Sequence, residues 1–203
     1  MNQFEDAVGA AFSAGARPKN IGTLGERTLH LVLKNYLEPN PAFHEVNLGN
    51  YYADILNDRG VFEIQTRQFN KLRAKLDFFL KEHPVTIVYP IAYRKWLLWV
   101  DELTGEVTKR RLSPRRGGFC DVFPELYRIK SYLSHDSLRI LIIRLDLEEY
   151  RLLNGWSEDR KRGSWRKDRI PVSVHDELLL SSARDYAKLI PDTLGESFTS
   201  REF

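Results

Sequence analysis

Cysteine is nearly absent from this 203-residue chain. Cys120 is the single one, which excludes an intramolecular disulfide and any zinc site built on several thiolates. No run of about 18 uncharged apolar residues occurs, so no membrane-spanning helix is expected. The start, Met1-Asn2-Gln3-Phe4-Glu5-Asp6, lacks the basic and apolar regions of a signal peptide, and cytoplasmic residence follows as the expectation. Also missing are G-x-G-x-x-G, a Walker A loop, H-E-x-x-H and G-x-S-x-G. These absences speak against dinucleotide, P-loop nucleotide, zinc-protease and serine-hydrolase chemistry. Charge of one sign is not in large excess either. The net charge of +3 does not imply nucleic acid by itself, and the distribution is more telling than the sum.

The most informative stretch runs from Asp54 to Gln65. Asn57-Asp58-Arg59-Gly60 is turn chemistry between two apolar-rich runs, the signal of a tight β-hairpin. With Asp58 and Arg59 as a two-residue loop, Asn57 pairs with Gly60 and Asp54 falls opposite Glu63. Opposed residues share a face, with Cβ atoms roughly 5 Å apart. Two carboxylates at that distance repel, and one pKa should rise unless a cation lies between them. A hard divalent ion suits such oxygen ligands. A type I turn with Gly60 in a bulge would instead slip the register by one.

Around this hairpin the pattern predicts a succession of elements. Residues 1–19 carry Phe4, Val8 and Phe12 as a helical stripe, an N-terminal helix or arm packed on its own domain. A helix over 21–37 has Asn20 as N-cap and Leu24, Leu31, Leu33 and Leu37 as apolar surface. Glu26 lies near its start, one turn before His30. Strands are expected at 43–48, 51–57 and 60–67, then an amphipathic helix over 68–82 with Lys71, Arg73 and Lys75 largely outside its stripe. Val85 to Pro90 reads as a buried central strand. A hairpin over 93–101 and 105–112, a helix over 122–134 with Tyr127 and Tyr132 in the core, and a strand from Leu138 toward Tyr150 follow. The mixture predicts one α/β domain over 20–153, a mixed sheet flanked by helices. Beyond it, 154–203 reads as a basic loop and a helical extension, with a helix at 174–190. Thr199 and Glu202 form a capping-box pattern, the expectation being either a frayed tail or a longer natural protein with a further helical domain.

Positive charge is concentrated in Lys109-Arg110-Arg111-Leu112-Ser113-Pro114-Arg115-Arg116 and in Arg160-Lys161-Arg162-Gly163-Ser164-Trp165-Arg166-Lys167. A solvated loop is the usual explanation of such runs. Arg and Lys beside Ser and Gly also suit phosphate contacts, and Trp156 or Trp165 can stack on a base.

The order of these elements, a helix bearing Glu26, a hairpin bearing Asp54 and Glu63-Ile64-Gln65, then a helix and a buried strand, resembles the core of the PD-(D/E)XK nuclease superfamily, the restriction-endonuclease-like fold. The resemblance covers about residues 20–90, and the chain is similar to an uncharacterised bacterial family within that superfamily. It implies that Glu26, Asp54, Glu63 and the Ile64 carbonyl bind Mg²⁺ or Mn²⁺, and that Asp54, Glu63, Gln65 and Glu26 form the catalytic set. The implied activity is phosphodiester hydrolysis, with DNA ranked before RNA and a homodimer as the assembly that would cut both strands of a duplex. Two positions depart from the pattern. Ala53 stands where the family has Pro, and Gln65 where it has Lys. Gln cannot give up a proton near pH 7 but can orient a water. Arg67 and Lys71 are the candidate replacement cations. Two alternatives stand beside this reading: the same fold kept for nucleic-acid binding without cleavage, and an interaction or assembly domain using the N-terminal stripe.

Overall fold

The computed structural model describes residues 2–13, 27–101, 103–153 and 165–190, together with 195, 197 and 199. Glu26, Asn20, Leu24, Trp156, Arg160, Lys161, Arg162 and Glu202 lie outside the described residues. The organising element is a seven-stranded mixed sheet. Its strands are β1 (His44–Leu48), β2 (Tyr51–Asn57), β3 (Gly60–Ile64), β4 (Val85–Val100), β5 (Arg111–Leu112), β6 (Leu138–Leu152) and β7 (Arg166–Leu180). The order is β1-β2-β3-β4-β6-β7, with β5 on β4. β1, β2 and β3 are antiparallel neighbours, β3 and β6 run parallel to β4, and β7 returns antiparallel on β6. Among the described residues four α-helices accompany the sheet: α1 (Gln3–Ser13), α2 (Arg27–Leu37), α3 (Arg73–Phe79) and α4 (Phe123–Arg128).

Apolar side chains alternate between the two faces of the central strands, because successive Cβ atoms point to opposite sides. Phe62, Ile64, Val88 and Ile143 meet Phe4, Leu29, Val32 and Leu33 of α1 and α2. Val61, Ile87, Ile140 and Ile142 meet Phe69, Leu72, Leu76 and Phe79 around α3, with Val122 and Leu126. Covering both faces is what the continuous apolar runs of β3 and β4 require.

The hairpin turn keeps the register of a two-residue loop, with Asn57 opposite Gly60 and Ile55 opposite Phe62. Asn57 Oδ1 accepts the Arg59 N–H at 3.0 Å, closing an Asx turn. Gly60 takes φ +107°, and a Cβ there would lie 2.3 Å from the Pro84 carbonyl oxygen.

Several expectations are corrected. The hairpin's second arm ends at Ile64, short of residue 67. The helix over 68–82 is a 3-10 turn at Phe69–Leu72 followed by α3. The stretches 85–90 and 93–101 are one strand, β4. Pro90 is tolerated inside it because its nitrogen points to the side where β3 has already ended: the last bond from that strand runs from the Gln65 N–H to the Val88 carbonyl. The return arm 105–112 pairs with β4 through the two residues of β5 and a Val100–Val107 bridge, with Thr108 hydrogen-bonded to Trp99 between them. The helix over 122–134 shrinks to α4 between two 3-10 turns, and Tyr127 is 71% exposed rather than core. The helix at 174–190 is absent. β7 runs to Leu180 and a 3-10 helix, Ala183–Leu189, follows. Ile170, Val172 and Val174 supply the β-branched alternation of a strand. The α1 stripe turns slightly, burying Phe4, Ala7 and Ala11 instead of Phe4, Val8 and Phe12. Among the described residues no helix is long and apolar enough to cross a membrane.

Gly60→Ala should lower stability by about 1–3 kcal/mol, the scale of a backbone forced into a sparsely populated region, with more from the Pro84 clash. Urea unfolding monitored by circular dichroism measures it, and an unchanged midpoint would count against the close approach.

Candidate active site

The site lies where β2 and β3 part. The ladder between them runs up to Ile55–Phe62. One step further, the Ile64 N–H donates to Asp54 Oδ2 at 2.7 Å, so a carboxylate stands where a strand carbonyl would otherwise accept. Glu63 occupies the neighbouring place on β3 and is only 3% exposed. The register of the hairpin is the one expected, but the pairing stops at Ile55–Phe62, one step before Asp54 and Glu63, and the strands splay around the two acids.

The crossover from β3 to β4 supplies the cation. Leu72, Leu76 and Phe79 anchor α3 and the turn before it in the core. Lys75 follows Leu72 by three residues and precedes Phe79 by four, so it shares their side of the helix. Its Nζ donates to Glu63 Oε2 at 2.8 Å, Glu63 Oε1 at 3.0 Å and the Tyr52 carbonyl at 2.7 Å. Lys75 is thus the cation of the site, and it corrects the expectation that this residue stays outside the stripe. Arg67 and Lys71, the candidates named from sequence, are both exposed and neither is paired with the acids. The overlooked signal was a lysine inside an apolar helical stripe.

Burial raises both carboxyl groups. Glu63 is pushed up to about 7, first by loss of water and then by the Asp54 charge, with Lys75 opposing. Burial also raises Asp54, the Ile64 N–H acting against it. Gln65 is half-buried, and its Nε2 donates to the Arg67 carbonyl at 2.5 Å, which ties that end of the amide into the turn after β3. His30 Nε2 donates to the Ile64 carbonyl at 3.0 Å, so this carbonyl is already in a hydrogen bond. Asp54, Glu63, Ile64 and Gln65 are brought together. Among the described residues, no group of three His, Cys, Asp or Glu side chains is placed to hold a metal ion.

The basic residues are dispersed. Arg110 pairs with Glu148 at 2.9 Å and lies 3.9 Å from the Trp96 ring centre. Arg115 reaches Asp121 at 3.6 Å. Lys109, Arg111, Arg116, Trp165 and Arg166 are exposed, and Lys167 is half-buried on β7. Trp96, lying between Arg94 and Arg110, is not a core residue.

A mixed seven-stranded sheet with helices packed on both faces makes this an α/β protein. Residues 27–181 match the family described as Domain of unknown function (DUF8091), and the chain belongs to that family. An uncharacterized protein of Treponema pallidum (strain Nichols) is 32% identical over 152 residues, covering 74% of this chain and 58% of that protein. The chain therefore spans little more than half the length of this relative. No solved structure matches it.

Because Glu63 holds its proton up to about 7 in the folded state, against an ordinary carboxyl value near 4.3, the native chain binds that proton more strongly than the unfolded one. Stability should fall as pH rises from about 4.3 to 7. Glu63→Gln removes this slope. Its melting temperature relative to wild type should therefore be more favourable at pH 8 than at pH 5, as read by thermal denaturation at both values. An equal difference at the two pH values would mean that Glu63 titrates normally.

Proposed function

We propose that this chain is a metal-dependent nuclease of restriction-endonuclease-like fold. The observation that carries the proposal is the convergence of Asp54, Glu63 and Lys75: two acids from a splayed hairpin and a lysine from the crossover helix that follows it. The order α2-β1-β2-β3-α3-β4, with β4 parallel to β3, agrees with the element order on which the resemblance rests. Lys75 also answers the chief departure in the sequence. A lysine stands at the acids although position 65 is Gln.

The donor set suits a hard cation. A buried and a half-buried carboxylate whose pKa values are raised form a place short of positive charge, and oxygen ligands favour Mg²⁺ or Mn²⁺. Asp54 and Glu63 would hold the ion. It would supply a bound water of lowered pKa and charge to set against the phosphoryl oxygens. Lys75 fixes the Glu63 carboxylate and presents a donor beside it, the kind of preorganised charge that stabilises a developing anion. The Gln65 carbonyl oxygen can accept from a water while its Nε2 stays on Arg67. Exposed Lys109, Arg111 and Arg116 are available to phosphates. DNA is placed before RNA as the substrate.

The test is cleavage of single-stranded, duplex and branched DNA and of RNA with Mg²⁺ or Mn²⁺, by wild type, Glu63→Ala and Lys75→Met. Metal-dependent cutting that falls about 100-fold or more in both variants is expected, the scale of losing one preorganised donor. Salt-sensitive binding without cutting by any of the three would favour a binding module over a nuclease. Neither binding nor cutting would overturn the nucleic-acid assignment.

A further inference from the structure

A second cluster lies outside this site, where β4, β6 and β7 extend past the end of β3. Both strands flanking β6 carry a bulge at the same level. Tyr93 is the extra residue between Ala92 and Arg94 on β4. His175 is the extra residue between Val174 and Asp176 on β7. A bulge re-aims the side chain of the inserted residue, and here two bulges bring two rings together across β6. The Tyr93 and His175 rings stack with centres 3.6 Å apart and planes 9° from parallel.

Guanidinium groups gather at this stack. Arg144 lies 4.9 Å from the Tyr93 ring centre and 4.3 Å from that of Phe119, and its charge is taken up by Asp176. Arg116 is 5.7 Å from the Tyr93 ring centre and exposed. Its loop is pinned to β4 at both ends, by the Ser113 N–H on the Lys95 carbonyl and the Gly117 N–H on the Ala92 carbonyl. At Gly117 a Cβ would lie 2.3 Å from Ile91 Cγ2, so the loop approaches closely only with glycine there. Arg144 serves to brace the rings, whereas Arg116 offers its charge to solvent. His175 keeps 37% of its side chain exposed although one ring face is covered by Tyr93.

We propose that His175, stacked on Tyr93, together with Arg116 forms a binding subsite for single-stranded nucleic acid. An unpaired base stacks on the exposed part of His175 and Arg116 holds an adjacent phosphate. The proposal rests on the nuclease reading for its class of ligand, and it deepens that reading by making unpaired nucleotides the preferred substrate. An exposed ring paired with a cation is the chemistry of single-strand binding, because every base has a π-face and a phosphate. A base inside a duplex has both faces covered by its neighbours and cannot use the ring. The two sites lie on one sheet. Glu63 is opposite Ile87, and Tyr93 is six residues further along β4, about 20 Å at 3.3 Å per residue, a span of several nucleotides.

The experiment is fluorescence anisotropy with a labelled oligothymidine of about 15 nucleotides and a duplex of equal length, both in EDTA so that cutting cannot consume the probe. His175→Ala and Tyr93→Leu should weaken single-strand binding about 5- to 100-fold, while Tyr93→Phe, which keeps the stack, stays within about 2-fold of wild type. Arg116→Gln should reduce the salt slope by about one. Duplex binding should be unchanged in His175→Ala. His175 is exposed, so its loss leaves the fold intact, and circular dichroism checks this. Single-strand affinity equal to wild type in both His175→Ala and Tyr93→Leu overturns the subsite, as does a wild type that does not bind the oligothymidine. Binding that depends on His175 in a chain that cuts nothing would uphold the subsite while removing the nuclease reading.

Discussion

Everything at the candidate site depends on one constraint: two carboxylates on neighbouring places of a hairpin, Glu63 buried and Asp54 half-buried, repel each other and have little water to screen them. Lys75 makes the arrangement tolerable. Its ammonium touches both Glu63 oxygens and the Tyr52 carbonyl, while the Ile64 N–H satisfies Asp54. The compensation is incomplete, because Glu63 still holds its proton to about 7. A protein that needed only a stable sheet would have apolar residues there, since exchanging a buried ion pair for apolar residues of similar size is often neutral or stabilising. Retaining the acids costs stability, and perturbed carboxyl groups of this kind cluster at functional sites.

Delivering Lys75 in turn requires the parallel crossover. A β-strand followed by a helix and a parallel strand lays the helix on the face of the sheet it has just left. α3 therefore lies over β3, and the lysine in its apolar stripe meets the acid on that strand. Gly60 allows the approach of the Pro84 carbonyl before β4. The Val61 N–H then bonds that carbonyl at 2.9 Å, which fixes where β4 begins against β3.

What was legible in the sequence was local. Asn57 to Gly60 specify a turn, the turn specifies the register, and the register brings Asp54 to Glu63. What was not legible depended on tertiary placement. Lys75 has the same chemistry as Lys71 on paper, and only the helix phase set by Leu72 and Phe79 separates them. Pro90 looked like the end of a strand because nothing local says that β3 stops before reaching it. In β7 the Leu178-Leu179-Leu180 run resembles helix surface. The residues before it, Ile170 to Val174, carry the strand pattern, but Pro171 interrupts it, and that proline is accommodated at a register irregularity opposite Leu147. Glu26, on which the resemblance also drew, lies outside the described residues, so the helical acid remains an inference from sequence.

The basic runs teach a different lesson. A cluster counted along the chain is not a cluster in space or in net charge. Arg110 is matched by Glu148, Lys95 by Glu149 and Arg94 by Asp146, an ion-pair lattice along β4 and β6 that leaves little field over that part of the surface. Cations reaching solvent beside aromatic rings are fewer, and Arg116 is one because the loop around Gly117 lifts it to the Tyr93 bulge. Counterions and bulges, more than the number of arginines, therefore decide where an anionic chain would be gripped. On the proposed nucleic-acid reading, contact therefore falls at a few points of the sheet rather than along its whole length.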